Sequence, residues 1–370
     1  MDYTLTQEQQ MIKESVARLL EKDYDFLQRC KWLSKGQRFQ NTIWDQFSQL
    51  GLCSLPFSSE YGGFDASATD VSVVAESIGK YLVVEPFLPC YLASCYLSSC
   101  ASEKQKKQYI PDICSGQSRI VMALDLSCHD AFLSDYQSVQ CSQVSKNQWV
   151  LSGSSPMVCG LDNAHHVIVF SKNEKNKIMP FIVPCDAVEI QEFSLIDDSG
   201  ASQLILDNVK VTADQQLDYQ DGVLTELYVR SIAFLSSEAV AIMQILNEKT
   251  KRYLKDRQQF GQPLSKFQLL QHRLVEMYVQ EEQARSMSLT LNFALSSGTD
   301  YSELKKFAFM TKLKINDYAQ YIGEQSVQLH GGMGVSDELD IAHYFRRLTC
   351  ICHQFGDHTY CLSQLIDRLD

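Results

Sequence analysis

The 370-residue chain lacks most of the signals that assign chemistry directly. It has no basic tract of five or more residues, and its net charge is −12 with both signs interspersed, which argues against a nucleic-acid partner. No apolar run approaches the ~20 residues of a membrane span. The opening "MDYTLTQEQQMIKESVARLL" is polar and amphipathic, unlike a signal peptide or an Arg-rich transit peptide. No G-x-S-x-G elbow, Walker loop or H-E-x-x-H occurs, which removes the common hydrolase and NTPase routes. There is no internal repeat and no low-complexity tract.

Cysteine is plentiful, with thirteen residues, an odd number, scattered from Cys30 to Cys361. Without a secretory signal they read as reduced thiols, and the expected compartment is the cytoplasm. Cys350, Cys352 and His353 form a C-x-C-H without a second ligand cluster, so no metal site is expected. His165 and His166 open a strand and point to opposite faces, which argues against a shared ligand role.

Three segments differ in hydrophobic period. Residues 1–118 read as helices: Thr6 with Gln9 resembles a capping box, and Ile12, Val16, Leu19 and Leu20 share one face. "DVSVVAESIGKYL" (70–82) has helical spacing, the prolines of "VEPFLP" end it, and a further helix is expected over 103–114. Residues 119–215 carry short β-branched runs separated by turn residues, as in a compact antiparallel β domain. Within it Leu204, Leu206, Val209 and Val211 alternate around an interruption at Asn208. Residues 216–370 return to long helices, one of them capped by Asp300 with Glu303 and running some thirty residues to "QLHGGMG" (328–334). The fold class is α+β, mainly α: helical domain, central β domain, four-helix bundle.

Two motifs invite a ligand. "HGGMG" (330–334) is either a helix C-cap or a close backbone approach to phosphate or ribose, glycine being the residue that permits either. In "RQQFGQPLSKFQLLQHRL" (257–274) Arg257 offers a planar fork suited to phosphate, or a surface charge at a helix end.

In this order, "LTQEQQMIKESVARLL", "LGLCSLPFSSEYGGF" (50–64), "AESIGKYL" (75–82), the 257–274 segment and "QSVQLHGGMGV" (325–335) resemble the acyl-CoA dehydrogenase family over nearly the whole chain. The branch most similar is that of pimeloyl-CoA dehydrogenase small subunits, through "SVARLLEKDYDFLQR" (15–29), "VVEPFL" (83–88) and "HYFRRLT" followed by "FGD" (343–357). The resemblance implies an oligomer, homo- or heteromeric, organised as a dimer of dimers. It implies FAD between β domain and bundle, an acyl-CoA substrate and an electron-transfer flavoprotein as acceptor. It implies that Arg257 and Phe260 contact the FAD of the adjacent subunit and that Gln328, Gly331 and Gly332 bind its adenosine portion. Arg230 matches a substrate-binding arginine.

The departures are as informative. In α,β-dehydrogenation a carboxylate takes the α-proton while the flavin takes the β-hydride. Aligning the family's Y-E-G-T on "QFGDHTY" (354–360) places Phe355 where the glutamate belongs, and a second branch's base position, next to Arg230, is Val229. Neither side chain accepts a proton. Asp357 is the nearest carboxylate, as a relocated base or as a helix N-cap. "LDLSCHDAFLSD" (124–135) and "SSPMVCG" (154–160) replace the flavin-ring segments, with Met157 and Cys159 at the Trp and Thr positions. The expected function is acyl-CoA dehydrogenation as the small subunit of a heteromer; the alternative is a non-catalytic structural or acyl-CoA-binding subunit.

Overall fold

The computed structural model describes residues 5–124 and 138–367, and the candidate segment "LDLSCHDAFLSD" falls almost wholly outside them. The chain forms two compact units. One gathers Met1–Lys31, Ser67–Val83 and Ile232–Asp370, the other Trp32–Ala66 and Val84–Ser231.

In the first unit, helix α1 (Gln7–Asp23) starts at the expected capping box, with Thr6 Oγ1 accepting from Gln9 N and Gln9 returning to Thr6 N. Its Gln9 also donates to Asp70, at the start of a fourth helix, α4 (Ala68–Tyr81), capped in the same way by Ser67. Between them in sequence, α2 (Phe26–Leu33) runs across the boundary and α3 (Asn41–Gln49) belongs to the second unit. Helix α5 (Phe87–Cys100) begins where a stop is expected from "VEPFLP". Pro86 is its N-cap and Pro89 lies in its first turn, where amide hydrogens are unpaired anyway and proline is tolerated. Helix α6 (Glu103–Cys114) matches the expected span, with Ser102 and Gln105 as its capping box.

The sheet of the second unit is seven-stranded: β1 (Ile120–Met122), β2 (Gln140–Ser145), β3 (Gln148–Cys159), β4 (His166–Asn173), β5 (Ile178–Pro184), β6 (Glu189–Ser194) and β7 (Gly200–Thr212). It is mixed, not purely antiparallel. β4 pairs parallel with β1 and with β2, and antiparallel with β5 along its length. Turn residues announce only hairpins, and these parallel pairings return to β4 through connections that carry no local signal. The interruption at Asn208 is a bulge: Leu151 pairs with Val209 and Gly153 with Leu206, and Asn208 takes a left-handed φ of 54°.

Five helices follow among the described residues, the first three of them long. α7 (Asp221–Asp256) runs from the second unit into the first. An 18-residue window in it reaches a mean hydropathy of 1.4, enough for a membrane span by composition, yet 83% of that window is buried. Serines 231, 236 and 237 break the apolar run while adding no charge, so the helix reads as core. A short hairpin, β8 (Gln258–Gln259) and β9 (Gln262–Pro263), leads to α8 (Gln268–Ser296). α9 (Tyr301–His330) is capped by Asp300, whose side chain accepts from Ser302 N. α10 (Asp340–His353) and α11 (His358–Ile366) then pack on α9.

Candidate functional site

The candidate cofactor residues of the first unit lie at two helix ends that are tied together. The Tyr253 ring, one turn before the end of α7, stacks on His330 at the end of α9 with centroids 4.4 Å apart. Its hydroxyl donates to His330 O, and Arg257 N donates to Tyr253 O. This brings the 257–263 hairpin and the 328–332 turn to one end of the unit. Both present their functional groups outward: Arg257 and Gln328 are exposed, and Phe260 is 88% exposed at a φ of 54°, its ring edge-on to Phe267. Gly331, at φ 61°, closes α9, and a Cβ on it or on Gly332 would meet nothing within 4 Å. A helix C-terminus offers carbonyl acceptors. It therefore suits the hydroxyl and amino donors of an adenosine better than a phosphate, while Arg257 supplies the cation a pyrophosphate needs.

The 354–357 turn is a separate feature of the same unit. Phe355 is buried with a φ of 56°, and Gly356 follows at 117°, where a Cβ would lie 2.8 Å from the Tyr360 ring. Asp357 is the N-cap of α11, its carboxylate accepting from Tyr360 N at 2.8 Å. Beneath the turn sits Lys312, fully buried, its Nζ donating at 2.6 Å both to Asn316 Oδ1 and to Ile351 O. Asn316 Nδ2 in turn donates to Gly356 O.

In the second unit Val229 is completely buried. Arg230 is engaged by its own chain: Nε and Nη2 reach Glu226 Oε1 at 2.8 and 2.6 Å, and Nη1 donates to Tyr91 OH at 3.0 Å. Burial pushes the neighbouring Cys95 thiol up to about 11, against the pull of the Arg230 charge. Met157 lies within the second irregularity of β3 and Cys159 just past it, and they offer sulfur where an indole and a hydroxyl are expected. His165 and His166 bond apart from each other, to Arg119 N and Ser118 Oγ. Among the described residues no group of three or more His, Cys, Asp or Glu is placed to hold a metal.

Two family models match the chain: "Acyl-CoA dehydrogenase, N-terminal domain" over residues 6–117 and "Acyl-CoA dehydrogenase, C-terminal domain" over residues 231–365. The chain belongs to the acyl-CoA dehydrogenase family. A probable acyl-CoA dehydrogenase, YngJ, of Bacillus subtilis is 27% identical over 99% of this chain and 98% of its own. The short-chain specific enzyme of Clostridium acetobutylicum is 22% identical over 94% and 93%. Among solved structures, an acyl-CoA dehydrogenase from Geobacillus kaustophilus superposes with a TM-score of 0.91 at 20% identity, covering 100% of both chains. Butyryl-CoA dehydrogenase from Megasphaera elsdenii gives 0.88 at 21%, again covering 100% of both. These share the fold: helical N-terminal domain, central β sheet and helical C-terminal domain.

Members of the acyl-CoA dehydrogenase family bind FAD, and one structure similar to this chain is an FAD complex of PigA. The residues present fit the adenosine and pyrophosphate part of that group, since an exposed arginine, an exposed glutamine and an uncrowded glycine pair converge on one end of the unit. FAD would supply the hydride acceptor; the chain's own residues would hold and orient it. Glu226 and Tyr91 as partners of Arg230, and Lys312 and Asn316 beneath the turn, were not among the residues expected from the sequence. Glu226 lies one helical turn before Arg230 and is legible by that spacing. Lys312 carries no local sign of burial.

Proposed function

We propose that this chain is the small subunit of a heteromeric FAD-dependent acyl-CoA dehydrogenase, of the pimeloyl-CoA small-subunit type. A glutamate-bearing partner provides the base, and Arg257, Phe260, Gln328, Gly331 and Gly332 grip the adenosine and pyrophosphate of FAD bound to the neighbouring chain. One observation carries the reading: both positions aligned with a family base hold buried apolar side chains, Phe355 and Val229. The nearest carboxylate of the turn, Asp357, is committed to capping α11. The exposed grip residues, by contrast, keep their family identity. A structure of a ChsE4-ChsE5 complex from Mycobacterium tuberculosis is among those the chain resembles, which supports assembly from two different chains of this fold.

On this reading the substrate is an acyl-CoA thioester, the protein works in the cytoplasm, and electrons leave to an electron-transfer flavoprotein. Arg230 serves the substrate through the surface left by its bonds to Glu226 and Tyr91. The test is the visible absorption spectrum of the chain purified alone and after co-expression with a glutamate-bearing family member. A colourless chain that gains flavin bands with its partner is the expected result. Flavin bands in the lone chain, bleached by an acyl-CoA, would overturn the reading and point to an independent enzyme with its own base.

A further inference from the structure

Lysine is almost never fully buried without a partner, because removing an ammonium from water is expensive. Lys312 is fully buried, and among the described residues it forms no ion pair with a carboxylate. Its two bonds at 2.6 Å go to neutral oxygens, Asn316 Oδ1 and Ile351 O. Asn316 passes the connection on by donating to Gly356 O at 3.3 Å. The carbonyls of Ile351 and Gly356 bracket the segment that carries Phe355. The short connection between α10 and α11 is thus held from below by one amine and one amide of α9.

We infer that Lys312 and Asn316 are positioning residues that latch the 351–357 turn, and that the latch closes with release of the Lys312 proton, so that protonation loosens the turn carrying Phe355. The latch is a property of this chain alone and holds whichever subunit supplies the base.

The direction follows from the surroundings. When the turn is closed the ammonium is sealed from water, and burial brings Lys312 down to about 8 from 10.5, against the favourable charges of its neighbours. The ionisable groups that face it are Cys352 from α10, and Asp357 and Cys361 from the turn and α11. Cys352 Sγ lies 3.7 Å from Asn316 O, and Cys361 Sγ lies 3.2 Å from the point a Gly356 Cβ would occupy. Both thiols are pushed up by burial, Cys361 to about 12, so neither supplies a balancing negative charge at neutral pH. When the turn opens, water reaches the amine and the ammonium is no longer penalised. The open state therefore holds the proton more tightly, and raising the pH shifts the balance toward the closed turn. Phe355, held in a left-handed conformation that a bulky L-residue resists, adds strain that favours opening.

Amide hydrogen exchange on the full-length chain, corrected for intrinsic base catalysis, tests this at the amides of Gln354, Tyr360 and Cys361, which bond to Cys350 O, Asp357 Oδ1 and Asp357 O. Between pH 7 and pH 9 their protection is expected to rise about tenfold, the ratio set by a closed-state titration near 8 and an open-state one near 10.5. Lys312→Met should flatten that rise while leaving exchange in α1 unchanged. Asn316→Ser should lower protection of Tyr360 and Cys361 at every pH and keep the rise. A wild-type chain whose turn shows no rise overturns the inference, even if Lys312→Met fails to fold. So does a Lys312→Met chain that shows the same rise.

Discussion

Glu238 on α7 and Arg347 on α10 meet as a fork: Arg347 Nε and Nη2 donate to the two carboxylate oxygens at 2.5 and 2.7 Å, with Glu238 only 1% exposed. Gly79 of α4 lies against the same glutamate, so close that a Cβ would sit 2.5 Å from Glu238 O. The pair joins three helices of one unit. Breaking a buried pair leaves an uncompensated charge, so Arg347→Met should destabilise by about 3–5 kcal/mol. The double variant Glu238→Leu, Arg347→Met should recover most of that loss, because it removes the stranded charge as well. Urea unfolding of the wild type, the single and the double variant measures it. A double variant as unstable as the single one would show that geometry, not charge, dominates this contact.

What the sequence made legible follows from the range over which each signal acts. Helix caps are local, and the capping box at Thr6 and the N-cap at Asp300 mark where α1 and α9 begin. The bulge at Asn208 was visible because it breaks a period of two within one strand. Pairings that join distant segments were not visible, which is why the parallel partners of β4 escaped. The helix opening at Phe87 was masked by prolines at its N-cap and in its first turn that read as a stop. The site divides in the same way. Arg257, Phe260, Gln328 and the glycine pair stand in short motifs and emerge exposed, on helix ends bound through Tyr253 and His330. Lys312 sits in a stretch whose polar residues look like a solvated face until the packing is seen, and Glu238 is a lone charge in an apolar run whose partner Arg347 is distant in sequence.

The burial of Lys312 has a consequence for stability with a definite sign. Its folded-state titration is depressed to about 8 from 10.5, so the penalty of the buried ammonium is complete below pH 8 and is lifted as pH rises toward 10.5. Cysteines and tyrosines with raised values act in the opposite direction over the same range, so the wild-type curve alone is uninformative. They are common to wild type and Lys312→Met and cancel in the difference. Relative to that variant, the wild type should gain about 2 kcal/mol between pH 7 and pH 9.5. Paired urea unfolding at the two pH values reads it, and a constant difference would mean that Lys312 titrates alike in the folded and unfolded chain and carries no burial penalty.

Asp357 illustrates how a capping role separates from a catalytic one. Its carboxylate accepts from Tyr360 N at 2.8 Å, and asparagine makes the same bond nearly as well. Asp357→Asn should therefore leave stability within about 0.5 kcal/mol and leave turnover of the assembled enzyme unchanged, whereas Asp357→Ala should cost about 1 kcal/mol. If Asp357→Asn abolishes turnover while flavin stays bound, Asp357 is a base and the partner is not needed for proton removal.

The outward-facing grip can be tested apart from folding, because its residues contribute little to the core. Phe260 is exposed and left-handed at φ 54°, a conformation that costs a non-glycine residue roughly 1 kcal/mol. Phe260→Gly relieves that strain and adds a similar entropy to the unfolded chain, so its melting temperature should stay close to wild type. Arg257→Gln, at an exposed position, should be equally silent in the melt. Both should weaken FAD retention in the assembled complex. For Arg257 the loss should be about tenfold or more, the effect of removing one charge-assisted hydrogen bond. Flavin content per complex after extended dialysis measures it. Wild-type retention by both variants would place the FAD grip elsewhere and leave the family identity of these residues without a role.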